Sequence, residues 1–309
     1  MTIHREINRN IGIDLLRIVA MLMIVVLHLV CHTFDDGASG GSASTIFTHH
    51  LLRAHVLVCV EVYGMISGYV MIYSTPKYSH LFELWLQIMF YALGISLLVY
   101  FSGLPMQSML KQNLRPITNS CYWYLSAYFG MYILLPLLNP GLQSIKMGSL
   151  YYILIVIMFL YSILSLLNGE IFGLGYGYTT LWLLICYIYG AAIRRIKEES
   201  SLVLSKKAIG VIFAILWGAF VIYALIEAVF PELVTTNVGV VAERLFREYT
   251  SPLMIIYAGV LVYVFSDFQI CHEKTKKVIQ WGTPLTLGVY LIHCHRVIWY
   301  NFMLMCEIL

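Results

Sequence analysis

Apolar residues along this chain fall into long runs separated by short polar breaks, and the runs approach the ~20 residues an α-helix needs to cross a bilayer. The pattern predicts nine spans: Ile11–Cys31, Leu51–Tyr73, Phe82–Phe101, Tyr122–Leu138, Leu150–Leu167, Thr179–Ile193, Ala208–Phe230, Pro252–Phe265 and Val278–Asn301. No polar stretch between them is long enough for a soluble domain. The expectation is one integral membrane domain over residues 1–309, an all-α polytopic transmembrane helix bundle. Internal repeats, heptads and the inverted-repeat signature of many transporters are not visible.

Composition reinforces this pattern. Hydrophobic residues make up 60% of the 309 and charged ones 11%, with a mean hydropathy of +0.81, a balance no water-soluble core accommodates. The formal charge of +3 is too small to indicate a nucleic-acid surface, so no nucleic-acid partner is expected. The seven cysteines are scattered, without a repeated CxxC, and read as small buried hydrophobes. No small-residue cleavage site follows Cys31, so the first run is a membrane helix rather than a signal peptide.

Lys and Arg orient the spans, because cytoplasmic loops carry their excess. With the N-terminus in the cytoplasm, Arg5, Arg9, Lys77, Lys146, Arg194, Arg195, Lys197, Lys206, Lys207, Lys274, Lys276 and Lys277 are inside. Arg53, Lys111, Arg115, Arg244, Arg247 and Arg296 lie outside or at outer helix ends. Asp35–Ser44 and Pro231–Thr250 become outer loops, and the C-terminus follows the last span on the outer side. The expected location is the cell membrane, multi-pass, with the lipid bilayer as first partner.

An ionisable side chain inside a bilayer costs about 2.5–3.5 kcal/mol on insertion scales, so each needs a reason. The first span holds Asp14, Arg17 and His28. Eleven residues at about 100° each bring Arg17 and His28 within roughly 20° on one helix face, about 16 Å apart along the axis. Asp14 is within about 60° of Arg17, close enough for an ion pair. Two readings of this stripe stand. Either Arg17 snorkels to the inner interface beside Asp14 while His28 caps a helix, or the stripe walls a polar cavity, Arg17 holding an anion and His28 poised as a general base, with a continuous polar path between them.

Other residues extend the candidate set. Glu61 is deep in the second span, where charge pairing between helices explains it as readily as function does. Ser67 beside Gly68 reads as small-residue packing. Trp123 and Tyr124 begin a span where an aromatic belt is expected, and the outer cluster His49, His50, Arg53 and His55 suits an anionic glycan or nothing. His293 and His295 flank Cys294, but alternate helical residues point about 200° apart, so no metal site is expected there.

As a set these residues resemble the acyltransferase-3 family of membrane acyltransferases, in particular the branch that O-acetylates bacterial cell-surface polysaccharides. The match rests on Arg17 and His28 with ten residues between them, the ISGY run from Ile66 to Tyr69, YWYLSAY from Tyr122 to Tyr128 with LLPLLNP after it, LWLLICYIYGAAIRR from Leu181 to Arg195, and GVYLIH from Gly288 to His293.

The resemblance implies transfer of an acyl group, usually acetyl, from cytoplasmic acetyl-CoA as donor substrate to a hydroxyl of a glycan or lipid-linked glycan, with no bound cofactor. It implies that His28 is catalytic and Arg17 its essential partner, with Asp14 supporting and Glu61, Ser67, Trp123, Tyr124 and His293 lining the site. Where many relatives carry paired arginines after the SGY run, this chain offers Lys77 as donor contact. It has no fused extracytoplasmic hydrolase-like domain, and the family's tenth span is not found before Leu309. A transporter or flippase of a polysaccharide intermediate is the alternative; it needs no base at His28.

Overall fold

A computed structural model describes residues 9–34, 42–102, 114–118, 122–200 and 204–299, and every regular element among them is helical. In chain order these are α1 (Ile11–Phe34), α2 (Ala43–Val56), α3 (Cys59–Met71), α4 (Tyr78–Phe101), α5 (Trp123–Ser144), α6 (Met147–Asn168), α7 (Thr180–Glu199), α8 (Lys206–Val229), α9 (Asn237–Arg247), α10 (Pro252–Ser266), α11 (Glu273–Gly282) and α12 (Leu285–His293). Seven segments among the described residues are long and apolar enough to cross a membrane, α2 with α3 forming one and α9 with α10 another. The protein is a multi-pass membrane helix bundle.

Four expectations need correction. Leu51–Tyr73 starts earlier, at Ala43, and is interrupted between Val56 and Cys59. Pro231–Thr250 is not a loop: after a 3₁₀ turn at Pro231–Thr235, the Thr236 side chain caps α9 by accepting from Gly239 N–H. Pairs at i,i+4, Arg244 with Glu248 and Arg247 with Glu243, support that helix. The Thr179–Ile193 segment is helical, but α7 runs on to Glu199 through a charged end bearing the pairs Arg194–Glu198 and Arg195–Glu199. Val278–Asn301 is not one helix. Pro284, which lacks an N–H, separates α11 from α12, and a second break follows at Cys294–His295. Of the expected outer loop Asp35–Ser44, residues 35–41 lie outside the described residues.

The centre of the bundle is α3 packed on α7. A Cβ on Gly68 would sit 1.9 Å from Tyr187 O, and one on Gly190 would sit 1.8 Å from Met65 O, so the backbones touch where only glycine fits. Leu16 of α1, Met65 of α3, Trp182 and Cys186 of α7, and Met254 and Ala258 of α10 fill one buried cluster around that contact. Helices α4, α6 and α8 are peripheral and turn large apolar side chains outward, among them Phe90, Leu98, Tyr152 and Ile215, as a lipid-facing surface requires. Two prolines inside α5 leave room for polar stitching at one end: Asn139 donates to Met71 O and accepts from the Tyr187 hydroxyl, while Arg195 donates to Leu142 O and Ile145 O.

Between α6 and α7 the chain makes a compact turn at Gly169–Tyr178. Gly169, Gly173, Gly175 and Gly177 all have positive φ, and so do Phe172 and Tyr176. The Glu170 carboxylate accepts the N–H groups of Gly175 and Tyr176, each at 2.8 Å, and ties the turn to itself. Gly177 has a second duty, since a Cβ there would lie 2.5 Å from Tyr249 Cβ.

Candidate functional site

The half of α1 nearer its C-terminus faces a cavity of about 640 Å³, within the range of small-molecule sites. His28 lines it with Met21, Ile24 and Leu27 of the same helix. Tyr63 of α3, Trp123 and Tyr124 of α5, Tyr176 and Tyr178 of the glycine turn, Tyr249, and Thr286 and Tyr290 of α12 complete much of the wall. The aromatic rings form a continuous surface: Trp123 lies 4.5 Å from Tyr178 and 6.3 Å from Tyr249 between centroids, and Tyr178 lies 5.2 Å from Tyr249. Burial pushes the Tyr178 phenol above its ordinary pKa, so it stays a protonated hydroxyl.

His28 is half-buried and meets α12 directly. Its Nδ1 is 3.0 Å from His293 Nε2, and His293 Nδ1 is 2.6 Å from Val289 O. A carbonyl only accepts, so His293 Nδ1 carries a proton. In neutral His293 the Nε2 atom is then an acceptor, and His28 Nδ1–H donates to it. His28 Nε2 is left with its lone pair, the form a general base requires. Trp299 stands edge-on to the His28 ring at 5.0 Å. Helix α12 presents His293 because it ends there, letting the following backbone turn so that His295 points the other way, its Nε2 3.3 Å from Ala92 O.

Cys294 joins the pair. Its Sγ is 3.4 Å from His293 Nε2 and 3.8 Å from His28 Nδ1, and the three residues place one ligand atom each within 4.8 Å of one another. His293 and His295, not expected to share an ion, indeed diverge, and the grouping that forms is His28–His293–Cys294. Two nitrogens on a tetrahedral zinc ion at about 2.05 Å lie about 3.3 Å apart. The 3.0 Å separation here is that of a hydrogen bond.

The remaining candidates divide. Trp123 and Tyr124 are on the cavity wall rather than merely at an interface. Asp14 is buried and pairs with Arg17 at 3.3 Å as expected, but it also receives Arg9, which went unnoticed in the sequence. Arg17 itself is not on the lining. Tyr63, which is on the lining, donates its hydroxyl to Arg17 O at 2.8 Å. Glu61 is fully buried away from the cavity, accepting from Trp182 Nε1 at 3.2 Å between α3 and α7. Ser67 bonds back to Tyr63 O within α3, a packing role. Lys77 is exposed before α4, its backbone N–H donating to the Tyr132 hydroxyl, and is also off the lining.

Sequence reasoning missed Tyr176, Tyr178, Tyr249, Arg247 and Arg296 as wall residues. The glycine-rich run Gly173–Tyr178 was a usable signal for the first two, since clustered glycines mark a turn that needs positive φ. Arg53, by contrast, was already in the outer cluster, and it does line the cavity, whereas His50 pairs with Glu227 at 2.6 Å.

Comparison with protein families matches the model described as an acyltransferase domain, Acyl_transf_3, to residues 10–307. Neither the comparison with curated proteins nor that with solved structures finds a match.

Proposed function

The chain belongs to the acyltransferase-3 family and is a membrane acyltransferase, and from that premise we propose that it moves an acyl group, the acetyl of acetyl-CoA, to a hydroxyl of a cell-surface or lipid-linked glycan, with His28 as general base. The observation that carries the reading is the His28–His293–Val289 chain of hydrogen bonds at the wall of a cavity of substrate size. In the step proposed, the acceptor hydroxyl gives its proton to His28 Nε2 as its oxygen attacks the thioester carbonyl. The tetrahedral intermediate collapses, the C–S bond breaks, and the proton on His28 passes to the departing CoA thiolate. His293 holds the reacting ring in one tautomer and orientation, as the buried acidic member does in a Ser-His-Asp triad.

Arg17 has a different task in this reading. Held by Asp14 at the other half of α1, it is a cation at the end of the bundle where Lys77 also lies and where the Lys/Arg bias puts the cytoplasm. There it suits the phosphates of the donor. The cell membrane is the proposed location, with the cavity toward the outer face and the N-terminus inside. No bound cofactor enters the scheme.

The test replaces His28 with Ala in the full chain, checks folding by thermal unfolding in detergent, and measures label from acetyl-CoA entering surface glycan in membranes. General-base loss is expected to cut transfer by about 10²–10⁴-fold. Undiminished transfer by a folded variant overturns His28 as the general base; transfer by wild type no higher than in membranes lacking the protein favours a transporter or flippase, which has no task for the histidine pair.

A further inference from the structure

The cavity that holds His28 is cationic in a way the acyl-transfer step does not require. Arg53 from α2, Arg247 from the end of α9 and Arg296, three residues beyond His293, all line it, against Glu248 as the one acidic lining residue among the described residues. Glu248 lies 4.0 Å from Arg244, a cation that is not on the lining, so its charge is answered from behind the wall. Arg247 is held from behind as well, its Nη1 3.3 Å from Glu243 and 3.9 Å from Glu227. Its Nε is buried and has no hydrogen-bond partner. A buried guanidinium N–H without an acceptor is costly and leaves Arg247 incompletely paired, so an anion in the cavity would add to what its two carboxylates supply. Arg296 is exposed and makes no ion pair or side-chain hydrogen bond among the described residues.

Flat rings fill the space beside these cations. Trp123, Tyr178 and Tyr249 offer apolar faces of the size of a sugar ring, with the Tyr178 hydroxyl as a polar handle. Arginines, aromatic faces and a base lining one cavity describe a ligand that is a ring, negatively charged, and carries a free hydroxyl.

Resting on the acyl-transfer reading above, we propose that the acceptor is an anionic glycan, its sugar lying on the aromatic wall while Arg53, Arg247 and Arg296 hold a carboxylate or phosphate and one hydroxyl meets His28. The donor's own phosphates are a poorer fit, because the pantetheine arm keeps them well away from the thioester that must reach His28. The negative charge has two chemical sources, a sugar carboxylate or the diphosphate of a lipid-linked carrier.

The experiment uses the full chain in detergent, as wild type, Arg53→Gln and Arg296→Gln. Thermal unfolding is followed with three probes: oligogalacturonate, its carboxyl-reduced neutral counterpart, and inorganic pyrophosphate. Transfer kinetics from labelled acetyl-CoA run in parallel on the two oligosaccharides. Arg296 is exposed and pairs with nothing described, so its variant tests binding without a folding penalty.

The expected result is that oligogalacturonate or pyrophosphate raises the unfolding temperature of wild type while the neutral oligosaccharide does not. Each Gln variant should weaken that binding by at least about tenfold, with the KM for acetyl-CoA unchanged. Stabilisation by oligogalacturonate assigns the charge to the sugar; stabilisation by pyrophosphate alone assigns it to the carrier. Equal effects of charged and neutral oligosaccharide with none from pyrophosphate overturn the proposal, as does a rise confined to the KM for acetyl-CoA, which would give the arginines to the donor. Anion binding that the Gln variants weaken, in a protein whose His28→Ala form still transfers, leaves the anionic acceptor standing and removes His28 as the base instead.

Discussion

His293 accepts from His28 across 3.0 Å while its other ring nitrogen is committed to Val289 O at 2.6 Å, so one backbone carbonyl of α12 fixes the protonation pattern of a side chain on α1. Replacing His293 with Ala removes the acceptor and frees the His28 tautomer. The expected fall in kcat is roughly 10²-fold, with KM little changed. His293→Gln, whose amide oxygen can accept from His28, should recover part of it. Because the base must be neutral to take up a proton, kcat–pH profiles of wild type and His293→Ala should differ on the acid side. Superimposable profiles would assign His293 a packing role only.

The same pair makes zinc an inhibitor rather than an activator. Added Zn²⁺ can use the lone pairs of His28, His293 and the Cys294 thiolate, spreading the nitrogens only slightly to bind. Transfer assays should show inhibition by excess zinc, reversed by EDTA and weakened in Cys294→Ser. Loss of activity on EDTA treatment alone would contradict the hydrogen-bonded arrangement.

Stability should hinge on the glycine contact between α3 and α7. Gly68→Ala puts a Cβ 1.9 Å from Tyr187 O, and backbone cannot yield as a side-chain tip can. Overpacking of this kind costs about 1–3 kcal/mol or more. Gly94→Ala, where a Cβ meets nothing within 4 Å, serves as the control. Scanning fluorimetry in detergent should show a clear drop in unfolding temperature for the first and none for the second.

Glu170 should matter to the acceptor without touching it. Its carboxylate closes the turn that carries Tyr176 and Tyr178 into the cavity wall. Glu170→Gln keeps one acceptor oxygen and loses the charge-assisted bonds, each worth about 1.5–3 kcal/mol. The expected outcome is a several-fold higher acceptor KM, unchanged KM for acetyl-CoA, and faster protease cleavage within Gly169–Tyr178. Unchanged acceptor kinetics would mean that the turn holds its tyrosines by glycine geometry alone.

Helix periodicity in one segment was enough to bring Arg17, Asp14 and His28 into view, because all three lie on α1 and the angles between them are fixed by the helix itself. What surrounds them was not legible. His293 meets His28 from the other end of the chain, and a string has no term for the backbone turn at Cys294–His295 that separates His293 from His295. Nor could spacing show that His28 lines the cavity and Arg17 does not, since two residues on one face of a helix share a neighbour only if the next helix leaves a gap. The spans read well where apolar runs were unbroken, as at α4, and badly where Pro284 divides an apolar run that hydropathy treats as continuous.

Some 265 residues separate His28 from His293, the first predicted span from the last. At about 5–20 residues per second, a ribosome spends roughly a quarter of a minute to a minute between the two. Through that interval the newly inserted α1 holds a histidine with no partner to fix its tautomer, and so no efficient base. If His28 is the base proposed above, a half-made chain hands no acyl group to water, because competence arrives when α12 docks. Synthesis itself is the switch that turns the histidine on.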